Sequence, residues 1–90
     1  MPWSWDPQEA ANRAKHGVSF ALAQLVFDDP LHLSEPDPFP DEERWRTLGL
    51  VGAVCLFVVH TSDPGTDASG RIISARRATR AERRRYEEGE

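Results

Sequence analysis

Seven arginines fall between Arg71 and Arg85, with Glu82 the only acid among them. An arginine stays charged at any physiological pH and offers a rigid fork of donors that fits phosphate oxygens. The chemistry open to such a set is anion binding, and above all the gripping of a nucleic-acid backbone. Arg83, Arg84 and Arg85 also have a plain structural account, since late in a helix positive charge complements the macrodipole and solubilises an exposed face. Arg76 and Arg77 leave a strand just before a helix begins. Binding of an anion or an acidic partner surface, or a structural salt bridge, would each account for them.

Other chemistries find little support. His16, His32 and His60 are isolated, and Cys55 has no neighbour at ligand spacing, so no metal site and no cofactor is expected. There is no phosphate-cradling glycine loop and no nucleophile elbow. A catalyst built from this chain must use arginines, Lys15, histidines and carboxylates. RNA cleavage is a reaction such a set can serve, because the ribose 2′-OH attacks the adjacent phosphorus and neither metal nor water is required. The protein orients the chain, stabilises the extra negative charge and moves protons.

These residues are positioned by elements that the pattern of the chain outlines. Trp3-Ser4-Trp5 reads as a short first strand. Asp6 caps a helix with Pro7 at its first position and Glu9 completing a capping box, and Gly17 ends it. Lys15 and His16 then stand at a helix C-terminus, an ordinary place for basic residues. Ser19 caps a second short helix marked by Phe20, Ala23, Gln24 and Phe27. Leu31 to Ser34 reads as an edge strand, and Pro36, Pro38 and Pro40 make a loop of residues 35–41. Glu43 to Leu50 reads as a strand with Arg44, Arg46 and Leu48 on one side and Glu43, Trp45 and Thr47 on the other.

The run Val51 to Val59, broken at Gly52, predicts a turn and a central strand, and residues 62–70 a hairpin loop. From Arg71 the alternation of Ile73, Ala75 and Arg77 against Ile72, Ser74 and Arg76 predicts a last strand. It leads into a helix opened by the capping box Thr79 and Glu82. Together these elements predict an α+β fold: an antiparallel sheet of about four strands, two N-terminal helices and a C-terminal helix.

The 90 residues make one domain, 1–90, with room for a modest core. No stretch is apolar and long enough to span a membrane, and no signal peptide precedes Trp3, so the cytoplasm is the default expectation. Net charge is −4, yet seven acids and no lysine or arginine lie between Phe27 and Glu43, opposite in sign to the arginine-rich end. Such segregation sets up opposed fields on a small surface, fit for RNA or for a protein partner.

Laid out in order, the chain resembles the BrnT family of toxins from type II toxin–antitoxin systems. The resemblance is carried by Trp5-Asp6-Pro7, Asn12, Lys15-His16-Gly17-Val18-Ser19-Phe20, Phe27-Asp28-Asp29, and Glu42-Glu43-Arg44 with Gly49. It continues through Arg71-Ile72-Ile73-Ser74-Ala75-Arg76, Ala78-Thr79, Glu82-Arg83 and Tyr86. The blocks around His16 and Ser74 are specific as a pair. Gln8 and Glu9 stand where the family commonly has a lysine, and the spacing from Asp6 to Asn12 is one residue short.

The resemblance implies a RelE-like ribonuclease fold, with metal-independent RNA cleavage that inhibits translation. It also implies neutralisation by a BrnA-like ribbon-helix-helix antitoxin in a two-plus-two (2:2) heterotetramer, with operator DNA read by that antitoxin. On this reading Arg44 and Arg76 hold the scissile phosphate, and Glu43 or His16 transfers protons. Lys15 and Arg71 position the RNA backbone, with Arg77 and Arg80 beside them. The competing expectation is a non-catalytic module whose arginines pair with an acidic partner or with operator DNA, as a co-repressor. A degenerate toxin kept only for antitoxin binding is a third.

Overall fold

The computed structural model describes residues 3–38, 43–61 and 70–89. In chain order these form β1 (Ser4–Trp5), α1 (Glu9–His16), α2 (Phe20–Ala23) and a 3-10 helix (Gln24–Asp28). Then follow β2 (Leu33–Asp37), β3 (Arg44–Val51), β4 (Val54–His60), β5 (Arg71–Arg77) and α3 (Arg80–Glu88). The class is α+β, but the sheet is five-stranded and mixed, in the order β1-β5-β4-β3-β2, and not a four-stranded antiparallel one. The difference is β1, which lies parallel to β5 with Ser4 opposite Arg71 and Trp5 opposite Ile72. The short first strand expected at Trp3-Ser4-Trp5 is thus present at Ser4–Trp5, and its parallel pairing with β5 is what the sequence reading lacks. The strand is held by backbone bonds from Ser4 N to Gly70 O (3.0 Å) and Asp6 N to Ile72 O (2.9 Å), contacts across the length of the chain.

Local signals shape the helical layer, with one correction. α1 begins at Glu9 and Gln8 is its cap, without a side-chain bond, because the Asp6 carboxylate turns the chain one residue early by accepting from Gln8 N (3.0 Å). Glu9 therefore does not close a box; its carboxylate accepts from Phe20 N (3.3 Å), the first amide of α2. Gly17 ends α1 in the left-handed conformation, at φ 73°, that a side chain disfavours. Ser19 caps α2 by accepting from Leu22 N (3.1 Å), as expected. Val18, Phe20, Ala23 and Val26 from this layer are buried against Leu56, Val58, Ile72 and Ala75 of the sheet.

Two irregularities tune the sheet. Val59 faces Ser74 but His60 faces Ile72, so Ile73 is an extra residue and strict alternation fails there. Ile72 and Ala75 thereby enter the same core. Pro36 lies inside β2 opposite Trp45, so the strand runs on through residues 35–37, where the prolines predict a loop. An edge strand tolerates proline because its outer amide needs no partner. The expected loop at residues 62–70 falls, up to residue 69, outside the described residues.

The second face of the sheet carries α3, whose capping box is formed in full by Thr79 and Glu82. Its apolar contact is small: Tyr86 packs with Leu48 and Cys55, edged by Leu50, Phe57 and Ala78. On the opposite side His60 is fully buried, its Nε2 2.6 Å from Thr47 Oγ1, which lies 2.7 Å from Ser34 Oγ. Edge-on packing against Trp3 and Phe27 completes its surroundings. His60 is thus a core residue with its polar atoms satisfied.

Candidate active site on the α3 face

Strand register sets which charged groups can meet. Side chains of directly paired residues share a face. Glu35 pairs with Arg46, Arg46 with Val59, and Val59 with Ser74; one step along, Leu33, Leu48, Phe57 and Arg76 form the next row. All of these point to the α3 side. Arg44, the first residue of β3, lies opposite Asp37 on that same face. From the spacing of strands and residues, the Cα atoms of Arg46 and Arg76 are about 12 Å apart, and those of Arg44 and Arg76 about 16 Å. Two arginine side chains can converge from the shorter distance. Arg46 is therefore the closer companion of Arg76.

The groups that converge are Arg46, Arg85 and Glu35. Arg46 Nε donates to Glu35 Oε1 (2.9 Å), and Arg85, reaching down from α3, donates to Glu35 Oε2 (2.9 Å). Arg46 also stands 3.9 Å from Asp37. Leu33, Leu48 and Phe57 floor a pocket of about 70 Å³ beside these three charges, with Ser34 on its rim. That is less than half of the roughly 150 Å³ cavity that holds a benzene ring, so the pocket suits small polar groups and not an entire nucleobase. Burial works to raise the Glu35 pKa, but the bond from Arg85 and the charges of Arg46 and Arg85 outweigh it and leave it lowered.

Arg76 is held differently. Its two terminal nitrogens donate to the two oxygens of Glu82 (2.8 and 2.9 Å), and one also reaches Arg77 O (3.2 Å). The guanidinium carbon sits 4.2 Å from the centre of the Phe57 ring. Glu82 accepts from Thr79 N as well, so one carboxylate both caps α3 and pins Arg76. Hydrogen bonding by Glu82 raises the Arg76 pKa, and Arg76 in turn lowers that of Glu82. The fork of Arg76 is engaged within the protein. Arg46 and Arg85 face the pocket.

The other expected site residues lie apart from this pocket. Glu43 is exposed immediately before β3. Lys15 and His16 end α1, at the β5 edge, where they line a second, open recess of about 240 Å³ with Gln8, Asn12 and Ser74. Two strand spacings separate that edge from β3, so the fold does not bring His16 to Arg44. Arg71 opens β5 and donates to Asp6 (3.1 Å). Arg77 and Arg80 are exposed at the end of β5 and the start of α3.

Sequence reasoning passes over Glu35, Arg46 and Arg85. Arg46 is legible, since alternation along β3 puts it beside Arg44. Glu35 reads from the prolines as part of a loop, and Arg85 as part of a solubilising helix face.

A family model described as "Ribonuclease toxin, BrnT, of type II toxin-antitoxin system" matches residues 5–82. The chain belongs to the BrnT toxin family. The matched span covers most of the chain, from Trp5 in β1 to Glu82 in α3, and so takes in both the sheet and the Arg76–Glu82 pair. Arg85 and Tyr86 lie beyond it. No curated protein matches the chain. Membership in a family of ribonuclease toxins makes RNA the substrate class and an antitoxin the expected partner. Among the described residues no helix is long and apolar enough to cross a membrane, and no group of three or more His, Cys, Asp or Glu is placed to hold a metal ion.

Proposed function

We propose that this BrnT toxin cleaves single-stranded RNA on the α3 face of its sheet, using the 2′-OH as nucleophile and no metal. The observation that carries this reading is the convergence of Arg46 and Arg85, from two different elements, on one pocket with an apolar floor. A phosphodiester seated there would receive two guanidiniums, which stabilise the added charge of a pentacoordinate phosphorus. Arg44, one row further along β3, would hold the neighbouring phosphate, and Arg76 would keep Phe57 and α3 in place. Lys15 and Arg71 lie toward the far edge and would guide the outgoing strand, with Arg77 and Arg80 at its margin. Glu43 and His16 are proton-transfer groups on this reading only if the RNA reaches them.

Cleavage of messenger RNA would arrest translation. A BrnA-like ribbon-helix-helix antitoxin, in a two-plus-two assembly, would neutralise the toxin and read operator DNA. The test is to incubate purified protein with single-stranded RNA in the presence of a chelator. Products ending in a 2′,3′-cyclic phosphate are expected, with loss of cleavage in Arg46→Ala and Arg85→Ala. Intact RNA with wild-type protein, together with unimpaired growth on strong induction, would overturn the proposal. It would leave the co-repressor reading.

A further inference from the structure

In the proposed site Glu35 is so far only the partner of two arginines. It rests on edge strand β2, and each of its oxygens takes one guanidinium, from β3 and from α3. This is a two-point arrangement. The two non-bridging oxygens of a phosphodiester present the same kind of target to the same pair of donors. Glu35 therefore occupies, in the free protein, the position a scissile phosphate would take. The three side chains are not sealed away: Glu35 is 36 % exposed, Arg46 34 % and Arg85 45 %. Solvent-facing ion pairs of this kind contribute little net stability, so a polyanion can exchange for the carboxylate.

We propose that Glu35 is the general base of the cleavage reaction, set free by the substrate itself. The proposal rests on the phosphate being held by Arg46 and Arg85. When RNA binds, the phosphodiester takes both guanidiniums and Glu35 rotates off them while staying beside the pocket. Its carboxylate, relieved of two direct donors, becomes more basic just where the 2′-OH lies. Glu35 then takes the 2′-OH proton as the 2′-oxygen forms its bond to phosphorus. The P–O5′ bond breaks, and the 5′-oxygen leaves with the electron pair and is protonated by water. The products are a 2′,3′-cyclic phosphate and a 5′-hydroxyl, and Glu35 returns its proton to solvent. Before binding, the carboxylate is masked by its arginines, so a base and an anion site share one pocket without blocking each other.

The experiment uses the full chain and a single-stranded oligoribonucleotide. A 2′-deoxy analogue at every position, which cannot be cleaved, serves for binding. Glu35→Gln keeps the shape and removes the base. It is expected to lower kcat by about 100-fold or more, to bind the analogue as tightly as wild type or tighter, and to lose the acidic limb of the pH–rate profile. Glu35→Asp should restore part of kcat and bring that limb back.

Were Glu35 only a brace for Arg46 and Arg85, Glu35→Gln would weaken analogue binding and keep the limb. That result overturns the proposal, as does an unchanged kcat. Arg46→Ala and Arg85→Ala separate this failure from failure of the site itself. If neither weakens analogue binding, the phosphate is held elsewhere and both readings fall. If both do while Glu35→Gln cleaves normally, only the base assignment falls. Circular dichroism of each variant confirms that it is folded.

Discussion

Asn12 and Ala75 are joined twice, across 63 positions of sequence. The Asn12 side chain donates to Ala75 O (2.8 Å) and accepts from Ala75 N (3.2 Å), while also donating to Val18 O (3.3 Å). The amide group thus acts as one further residue of strand on the β5 edge, taking over where β1 stops. It satisfies a backbone pair that the helical layer buries. Asn12→Ala takes away the side-chain partner of both that N–H and that C=O. A loss of about 1–3 kcal/mol is expected, read as a lower denaturant midpoint with an unchanged slope. A change under about 0.5 kcal/mol would show that the edge finds another partner.

Gly49 is needed for space. A Cβ there would come within 2.9 Å of Val26 Cβ and 3.0 Å of Val26 O, because the 3-10 helix rests directly on β3. Backbone and a branched side chain cannot both retreat. Gly49→Ala should cost about 1–3 kcal/mol through overpacking, whereas Gly49→Ser should be no better. Thermal unfolding of the two variants checks this.

The hold of α3 on the sheet depends on pH at both ends. Tyr86 donates to the Asp29 carboxylate, which also accepts from Leu50 N and Leu31 N. The bond to Asp29 and burial push the Tyr86 pKa up from 10.0 to about 12. A raised pKa means stability that is complete below pH 10 and fades as pH climbs toward 12. At the acid end, burial of Asp29 is outweighed by its donors, and its pKa is lowered, as are those of Glu35 and Glu82. Lowered pKa values mean stability that is complete above about pH 4–5 and lost as pH falls below it. Tyr86→Phe should remove the alkaline limb and shallow the acid one. An alkaline limb that survives in Tyr86→Phe would assign it to another group.

Thr79→Ala and Glu82→Ala separate two jobs of one helix start. Thr79→Ala removes the acceptor for Glu82 N and should cost about 1 kcal/mol. Glu82→Ala also frees Arg76, and should cost more by up to about 1 kcal/mol. Equal losses in the two variants would show that pinning Arg76 over Phe57 contributes nothing to stability. Arg76→Lys cannot form the two-point pair but leaves the Glu82 cap on Thr79 N in place, so it should lose only what pinning Arg76 contributes and less than Glu82→Ala.

Salt dependence locates the RNA. Removing one protein cation that neutralises a phosphate of a single strand reduces the slope of log K against log salt by about 0.7. Arg46→Ala and Arg85→Ala should each show that reduction on the uncleavable analogue. Lys15→Ala should show a smaller one, since Lys15 lies at the far edge of β5. An unchanged slope in Arg46→Ala and Arg85→Ala, with a reduced one in Lys15→Ala, would move the strand to the α1 recess.

Short-range physics was readable directly from the residues. Gly17, Ser19 and the Thr79–Glu82 box act within four positions of themselves, so their roles survive in any context that lets a helix form there. The period of β3 likewise put Arg44, Arg46 and Leu48 on one side. Tertiary structure decided the rest. β1 and β5 meet only when the chain closes, Ile73 is set aside by a bulge whose partner is on another strand, and Pro36 is tolerated because β2 happens to be an edge. The pocket is the clearest case: Glu35, Arg46 and Arg85 lie in three separate segments, and only sheet register and the docking of α3 bring their charges to one place. Electrostatic attraction between them depends on distance in space, which spacing along a chain does not encode.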